Sequence, residues 1–239
     1  MIKQYLMLFF GGVILFYMLF VIVTYSWMLV KATLYLRKKQ GLEKENFDDV
    51  FVDAFYTKPV SIIVPVYNEE MGIVDTVRSL FSLRYPQTEI IIVNDGSSDQ
   101  TLEKTLRELK MRPINKIVRK SIETKPIKGI YTSELYPDCY LIDKENGGKA
   151  DALNVGINVS SYPYFCSLDG DSILDENSLL RIMKPIMLSG GDVIASGGNV
   201  RIANGGTMEL GHIQHQELST KLVVVMQVIE YLRAFLMGR

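Results

Sequence analysis

Cysteine is scarce in this chain of 239 residues: only Cys139 and Cys166 are present. Two are too few for a disulfide framework or a cysteine zinc cage, so a reducing compartment is the simplest expectation. An excess of one charge is lacking as well. Lys+Arg total 26 against Asp+Glu 27, a net of −1, which argues against bulk electrostatic attraction to nucleic acid. No internal repeat and no low-complexity tract is visible. No G-x-G-x-x-G follows an apolar run, so a dinucleotide fold is disfavoured. What is present is 48% hydrophobic and 22% charged residues, which excludes both disorder and a chain that is membrane-embedded throughout. The length suits one ordinary domain and not comfortably two.

One segment is exceptional. From Tyr5 to Val30 there is no charged side chain, a run of about 26 residues; as a helix it would be about 39 Å long, enough to cross a hydrocarbon core of about 30 Å. A cleaved signal peptide would be shorter and would carry a small-residue cleavage site, whereas the first alanine is Ala32, beyond the run. Only Lys3 precedes the run, while Lys31, Arg37, Lys38, Lys39 and Lys44 follow it. The positive-inside rule then puts the remainder in the cytoplasm, on a single-pass anchor in the cell (inner or plasma) membrane. Tyr25 and Trp27 fall near that interface. The expected organisation is an anchor over 1–36, a juxtamembrane linker or helix over 37–57, and a globular domain over 58–239.

Within that domain, Ser61–Val66 and Glu89–Asn94 are continuous β-branched and aliphatic runs, the pattern of strands buried on both faces. Between them Asn68 is expected to cap a helix with Ile73, Val74, Val77, Leu80 and Phe81 on one side, ended by Tyr85-Pro86. Leu102, Leu106 and Leu109 mark a second helix. The alternation predicts an α/β unit with parallel strands. Lys110, Arg112, Lys116, Arg119, Lys120, Lys125 and Lys128 read as a solvated edge beside a strand at Ile114–Val118. Further strands are expected at Cys139–Asn146, Tyr164–Leu168 and Val193–Ala203. Helices are expected with Ala150, Leu153 and Ile157 on one side, then with Leu179, Leu180, Met183, Ile186 and Met187. Leu222–Leu236 reads as an amphipathic or buried helix.

In open α/β sheets, ligands bind beyond the carboxyl ends of the strands, and charged motifs sit just past three of the expected ends. These are Tyr67-Asn68-Glu69-Glu70, Asp95-Gly96-Ser97 and Asp169-Gly170-Asp171. Singly, most have a plain alternative. Asp95 suits a turn, Asp99 a helix cap, and Glu69 and Glu70 a helix N-terminus. Asp-Gly-Asp is more specific: alternate residues of an extended chain share a face, and two converging carboxylates repel unless a cation joins them or one is protonated. Oxygen-only ligands suit Mg²⁺ or Mn²⁺, with positions left open for phosphates. Lys149, in Asn146-Gly147-Gly148-Lys149, supplies a point charge on a flexible backbone. It is not a P-loop, which would need glycine at Asp143 and Ser or Thr at Ala150. His212 and His215 have metal-like spacing without a Glu-x-x-His context, and read as surface or interface residues.

Taken together, IIVPVYNEE, VNDGSSD, NGGKADALN and SLDGD, in this order, closely resemble the family 2 glycosyltransferases of GT-A fold. The likeness is nearer to the membrane-bound processive branch that makes poly-N-acetylglucosamine, hyaluronan, chitin and cellulose. It covers most of Ser61 to Arg239. The resemblance implies that Pro65, Tyr67 and Glu69 line the nucleotide pocket, that Asp95 contacts uracil or ribose, and that Lys149 lies near the donor nucleotide. Asp169 and Asp171 would be the D-x-D that binds a metal on the diphosphate. It implies inverting transfer from a UDP-sugar to a growing polysaccharide; a polyprenyl-phosphate acceptor and a non-catalytic nucleotide-sugar-binding module are the alternatives. The chain departs from the branch in three ways. The Glu-Asp pair that normally holds the acceptor base is missing, so no catalytic base is identified; Gln-x-x-Arg-Trp is missing, Trp27 being the sole tryptophan; and the later channel helices are not there. The expectation is the donor-binding portion of a longer enzyme. A truncation, a gene fragment or a split partner would each produce the pattern, the last adding a second polypeptide to the partners.

Overall fold

A computed structural model of the chain describes residues 2–43, 57–198, 206–209, 212–216 and 221–237. Two compact units result, one of Met1–Asp48, Asn199–Gly205 and Glu217–Arg239, the other of Asp49–Gly198 and Gly206–Gln216.

The first unit contains α1 (Ile2–Glu43) and α6 (Leu222–Met237), which touch each other. Lys3–Lys31 is the one described segment long and apolar enough to cross a membrane. Its side chains face outward along its length, as Leu8, Phe16 and Phe20 illustrate. At its far end the Lys31 ammonium lies 5.5 Å from the Trp27 ring centroid, a cation–π contact in which the indole keeps a polar neighbour. The helix runs past Val30 and continues to Glu43, so the first part of the expected linker is helical; residues 44–56 lie outside those described. The tail forms a helix as expected, but Leu222, Val223, Met226 and Ile229 are exposed.

In the second unit a six-stranded sheet has the order β3-β4-β5-β2-β1-β6. Four adjacent strands, β5 (Cys139–Lys144), β2 (Thr88–Asn94), β1 (Val60–Val66) and the edge strand β6 (Tyr164–Ser167), run parallel to one another. The other edge is antiparallel: β3 (Met111–Pro113) pairs with β4 (Ile127–Ser133), and β4 with β5. Every residue of β1 is buried. Alternation divides them between two layers. Ile62, Val64, Ile90, Ile92 and Leu141 join residues of α2 (Ile73–Phe81) and α5 (Ser178–Leu188) in one cluster. Ile63, Ile91, Val93 and Ile142 meet Ala152, Val155 and Val159 of α4 (Lys149–Val159) on the opposite face. Each fully buried aliphatic side chain contributes about 1.5–3 kcal/mol relative to an exposed one, so the two-sided burial that made these runs legible is also what stabilises them. α3 (Thr101–Glu108) and a separate two-stranded sheet, β7 (Gly206–Glu209) with β8 (His212–Gln216), complete the unit.

β1 and β2 are parallel as expected, and β3 and β4 add an antiparallel edge. Several local expectations are corrected. Ile114–Val118 is not a strand: Ile114 donates one backbone bond to Ile130, after which the chain leaves the sheet and Ile117 becomes exposed. The strand of that region is β4, whose lysine and glycine hid it. Residues 193–198 form no strand, and 199–203 lie outside the described residues. The face that α4 buries is centred on Ala152, Val155 and Val159, with Ala150 exposed. Asn68 does not cap α2, which starts at Ile73 behind Gly72.

Candidate active site

The parallel strands run in one direction, so the loops after β5, β2, β1 and β6 emerge along a single edge in that spatial order. All four sequence motifs are thereby brought side by side.

Pro65 occupies the last turn of ladder on β1. Val66 accepts from Asp95 of the β2 side, whereas Ile63 accepts from Leu168 of the β6 side. By alternation Pro65 faces β6, whose pairing has already ended at Ser167 opposite Ile63. A proline, lacking an N–H, therefore fits a central strand at the one place where no partner is due. Here the chain after β6 turns away, and Gly170 comes so close that a Cβ would lie 2.9 Å from Val66 Cγ1 and 3.5 Å from the Pro65 carbonyl. This explains the glycine inside Asp-Gly-Asp. Thr76 of α2 donates to the Gly170 carbonyl at 2.8 Å and holds the turn from beneath.

Beyond β1, Asn68 adopts a positive φ of 56°, a conformation asparagine tolerates better than most residues. Its side-chain oxygen accepts from the Ser98 N–H at 2.9 Å, and its own N–H donates to Ser97 Oγ at 3.0 Å. The Glu69 N–H donates to Thr101 Oγ1 at 2.8 Å, and Asp99 accepts the N–H groups of Thr101 and Glu70. The cap position of α3 falls to Gln100 and not, as expected, to Asp99, whose carboxylate instead ties the two loops together. Tyr67 is exposed above them.

Asp169 and Asp171 flank the tight turn in which Ser172 donates back to the Asp169 carbonyl at 3.0 Å. Both are exposed. Lys149 Nζ donates to Asp169 Oδ1 at 2.5 Å, linking the loop after β5 to the loop after β6 across the edge. Glu69 shares the same field. Burial, then the charges of Asp171, Asp99 and Asp169, push its carboxyl above the ordinary glutamate value. Negative charge thus converges beside one exposed ammonium. Among the described residues no three His, Cys, Asp or Glu side chains gather closely enough to hold a metal unaided. Two oxygen ligands with open positions fit a hard divalent ion that completes its shell with water and phosphate.

Asp95 is placed differently from the others. It is 3% exposed, and its carboxylate accepts from Lys144 Nζ at 2.5 Å, Gly147 N at 3.0 Å and Gly148 N at 2.7 Å. Asn146 Nδ2 donates to its carbonyl at 2.9 Å. Sequence reasoning passed over Lys144, although strand alternation sets it on the inward face with Ile142. A lysine at an inward position was the signal. β8 carries His212 and His215, whose side chains lie outside the described residues.

Residues 61–132 and 124–223 match the family described as Glycosyl transferase family 2. The chain belongs to that family. This glycosyltransferase is 34% identical over 162 residues to the poly-beta-1,6-N-acetyl-D-glucosamine synthase of Staphylococcus epidermidis, covering 67% of this chain and 33% of that protein. It is 31% identical over 170 residues to the synthase of the same name from Staphylococcus aureus strain COL, covering 71% and 34%. The chain therefore spans about a third of the length of these relatives. Among solved structures, S. aureus TarS 1–349 is similar at a TM-score of 0.39 and 20% identity, over 53% of this chain and 32% of that one. A mannosyltransferase from Pyrobaculum calidifontis in complex with GDP-Man and Mn²⁺ is similar at 0.43 and 21%, over 66% and 40%. The α/β, GT-A-type fold expected of a family 2 glycosyltransferase agrees with the sheet described above.

Proposed function

We propose that this glycosyltransferase chain binds a UDP-sugar together with Mg²⁺ or Mn²⁺ and serves inverting transfer of the sugar to a growing polysaccharide at the cytoplasmic face of a membrane. The single observation that carries the reading is the alignment of four charged loops on one sheet edge, with Lys149 and Asp169 joined across it. Asp171 and Asp169 would hold the ion, which when bound supplies Lewis-acid stabilisation of the departing diphosphate. Lys149 donates a second positive charge to the same phosphates, and the loop of Tyr67 to Glu69 borders the nucleotide. Asp95 keeps the Gly147–Gly148 backbone in place beside them. The length and apolarity of Lys3–Lys31, with lysines and arginine following it, support a single-pass anchor. Likeness to the two synthases favours a polysaccharide acceptor. The test is calorimetry of UDP binding to the full chain in detergent. Binding is expected with Mn²⁺ and lost in EDTA; equal affinity in both would refute the metal-assisted reading.

A further inference from the structure

Lys144 is fully buried at the end of β5, the bulkiest side chain so enclosed among the described residues. Its ammonium bonds Asp95 Oδ1 at 2.5 Å, Asp151 Oδ2 at 2.6 Å and the Glu145 carbonyl at 2.5 Å. Burial works against this charge, but the bonds it donates to Asp151 and Asp95 outweigh it and hold the group above the ordinary lysine value. The partners sit on two different elements. Asp95 follows β2, and Asp151 lies in the first turn of α4, where it also accepts the Lys125 N–H at 3.1 Å. Between them runs Asn146 to Lys149, a loop with two glycines and hence little stiffness of its own. Gly148 has a φ of +87°, and a Cβ on Gly147 would lie 2.5 Å from Asp151 Oδ2. The loop can therefore wrap the Lys144 cluster closely only as glycine, and it is fixed there by its bonds to Asp95.

A buried charged cluster is a poor device for stability alone, since well-packed apolar residues often replace one without loss. This one stands directly beneath the loop that carries Lys149. We propose that Lys144 is a positioning residue for donor binding: through Asp95 and Asp151 it fixes the Asn146–Lys149 loop, so that Lys149 reaches the diphosphate held at Asp169 and Asp171. This rests on the donor-site reading above and adds a residue to it.

The experiment uses the full chain in detergent, as wild type and Lys144→Met, with three readouts. These are amide exchange at Gly147 and Gly148 compared with Ile62–Val64, UDP affinity with Mn²⁺ present, and Mn²⁺ affinity without nucleotide. In Lys144→Met the two glycine amides are expected to exchange about ten-fold faster while β1 stays protected, and UDP affinity to fall about ten-fold. Mn²⁺ affinity alone is expected not to fall, because its ligands belong to the loop after β6. Unchanged exchange and unchanged UDP affinity would overturn the proposal. So would a joint loss of β1 protection, UDP binding and Mn²⁺ binding, which marks a merely structural lysine. If Lys144→Met does not fold, Asp151→Asn, which leaves the Lys144–Asp95 pair in place, decides by the same readouts, with effects of about three-fold expected and none contradicting. Failure of the wild type itself to bind UDP would strike the donor-site reading and the donor role of Lys144, whereas glycine exchange would still decide whether Lys144 holds the loop.

Discussion

Replacing Asp171 by alanine is expected to weaken Mn²⁺-dependent UDP binding about a hundred-fold, since removal even of groups that merely support a metal ligand costs about 10–100-fold. The expectation comes from where negative charge is placed. Asp171 is the largest of the neighbouring charges that raise the Glu69 carboxyl, after burial itself, so it faces into the shared field. Asp169 already has a cationic partner in Lys149, an ion pair that must give way before its carboxylate meets a metal. Calorimetry of UDP with and without Mn²⁺ checks the effect. Asp75→Ala, on the exposed surface of α2, serves as the control and should leave affinity unchanged. A matching loss in both variants would show that the effect is general charge and not coordination.

The second large effect concerns the scaffold. Gly156→Ala is expected to lower stability by about 1–3 kcal/mol, because an added methyl in a close-packed interior forces side chains or backbone to shift. A Cβ at 156 would stand 2.3 Å from Ile63 Cγ2 and 3.1 Å from its Cδ1. Ile63 cannot yield easily, because it is fully buried in β1 between β2 and β6. α4 would have to lift off the sheet, and Lys149 at its first turn would move with it. Thermal unfolding of the α/β unit should shift down by several degrees. Gly72→Ala, where no atom lies within 4 Å of the new Cβ, should shift little. If Gly156→Ala unfolded like wild type, the close approach of α4 to β1 would be wrong.

The parts of this architecture legible in the sequence are those that local pattern determines. β1 and β2 announced themselves because burial on both faces demands unbroken apolar runs, and α2 and α5 because one apolar stripe each faces the sheet. The motif positions followed from where those runs stop. What stayed hidden depended on partners distant in the chain. β4 contains Lys128 and Gly129 and is half-exposed over much of its length, so it gave a weaker pattern than the neighbouring Ile114–Val118 run, which is not a strand. The capping role assigned to Asn68 failed because its side chain has a better use thirty residues on, at Ser98. The inward place of Lys144 on β5 was legible, but its partners were not: Asp95 follows β2 and Asp151 lies on α4, and only the folded chain brings both to the ammonium. Gly156 likewise has meaning only against Ile63.

The most direct measurement is a crystal structure of the chain with UDP and Mn²⁺, read at the manganese absorption edge. The account predicts one anomalous peak bonded to carboxylate oxygens of Asp169 and Asp171 and to diphosphate oxygens, with the Lys149 ammonium transferred from Asp169 to the phosphates. A manganese peak bonded to neither aspartate, or UDP seated away from the edge formed by the loops after β5, β2, β1 and β6, would contradict it.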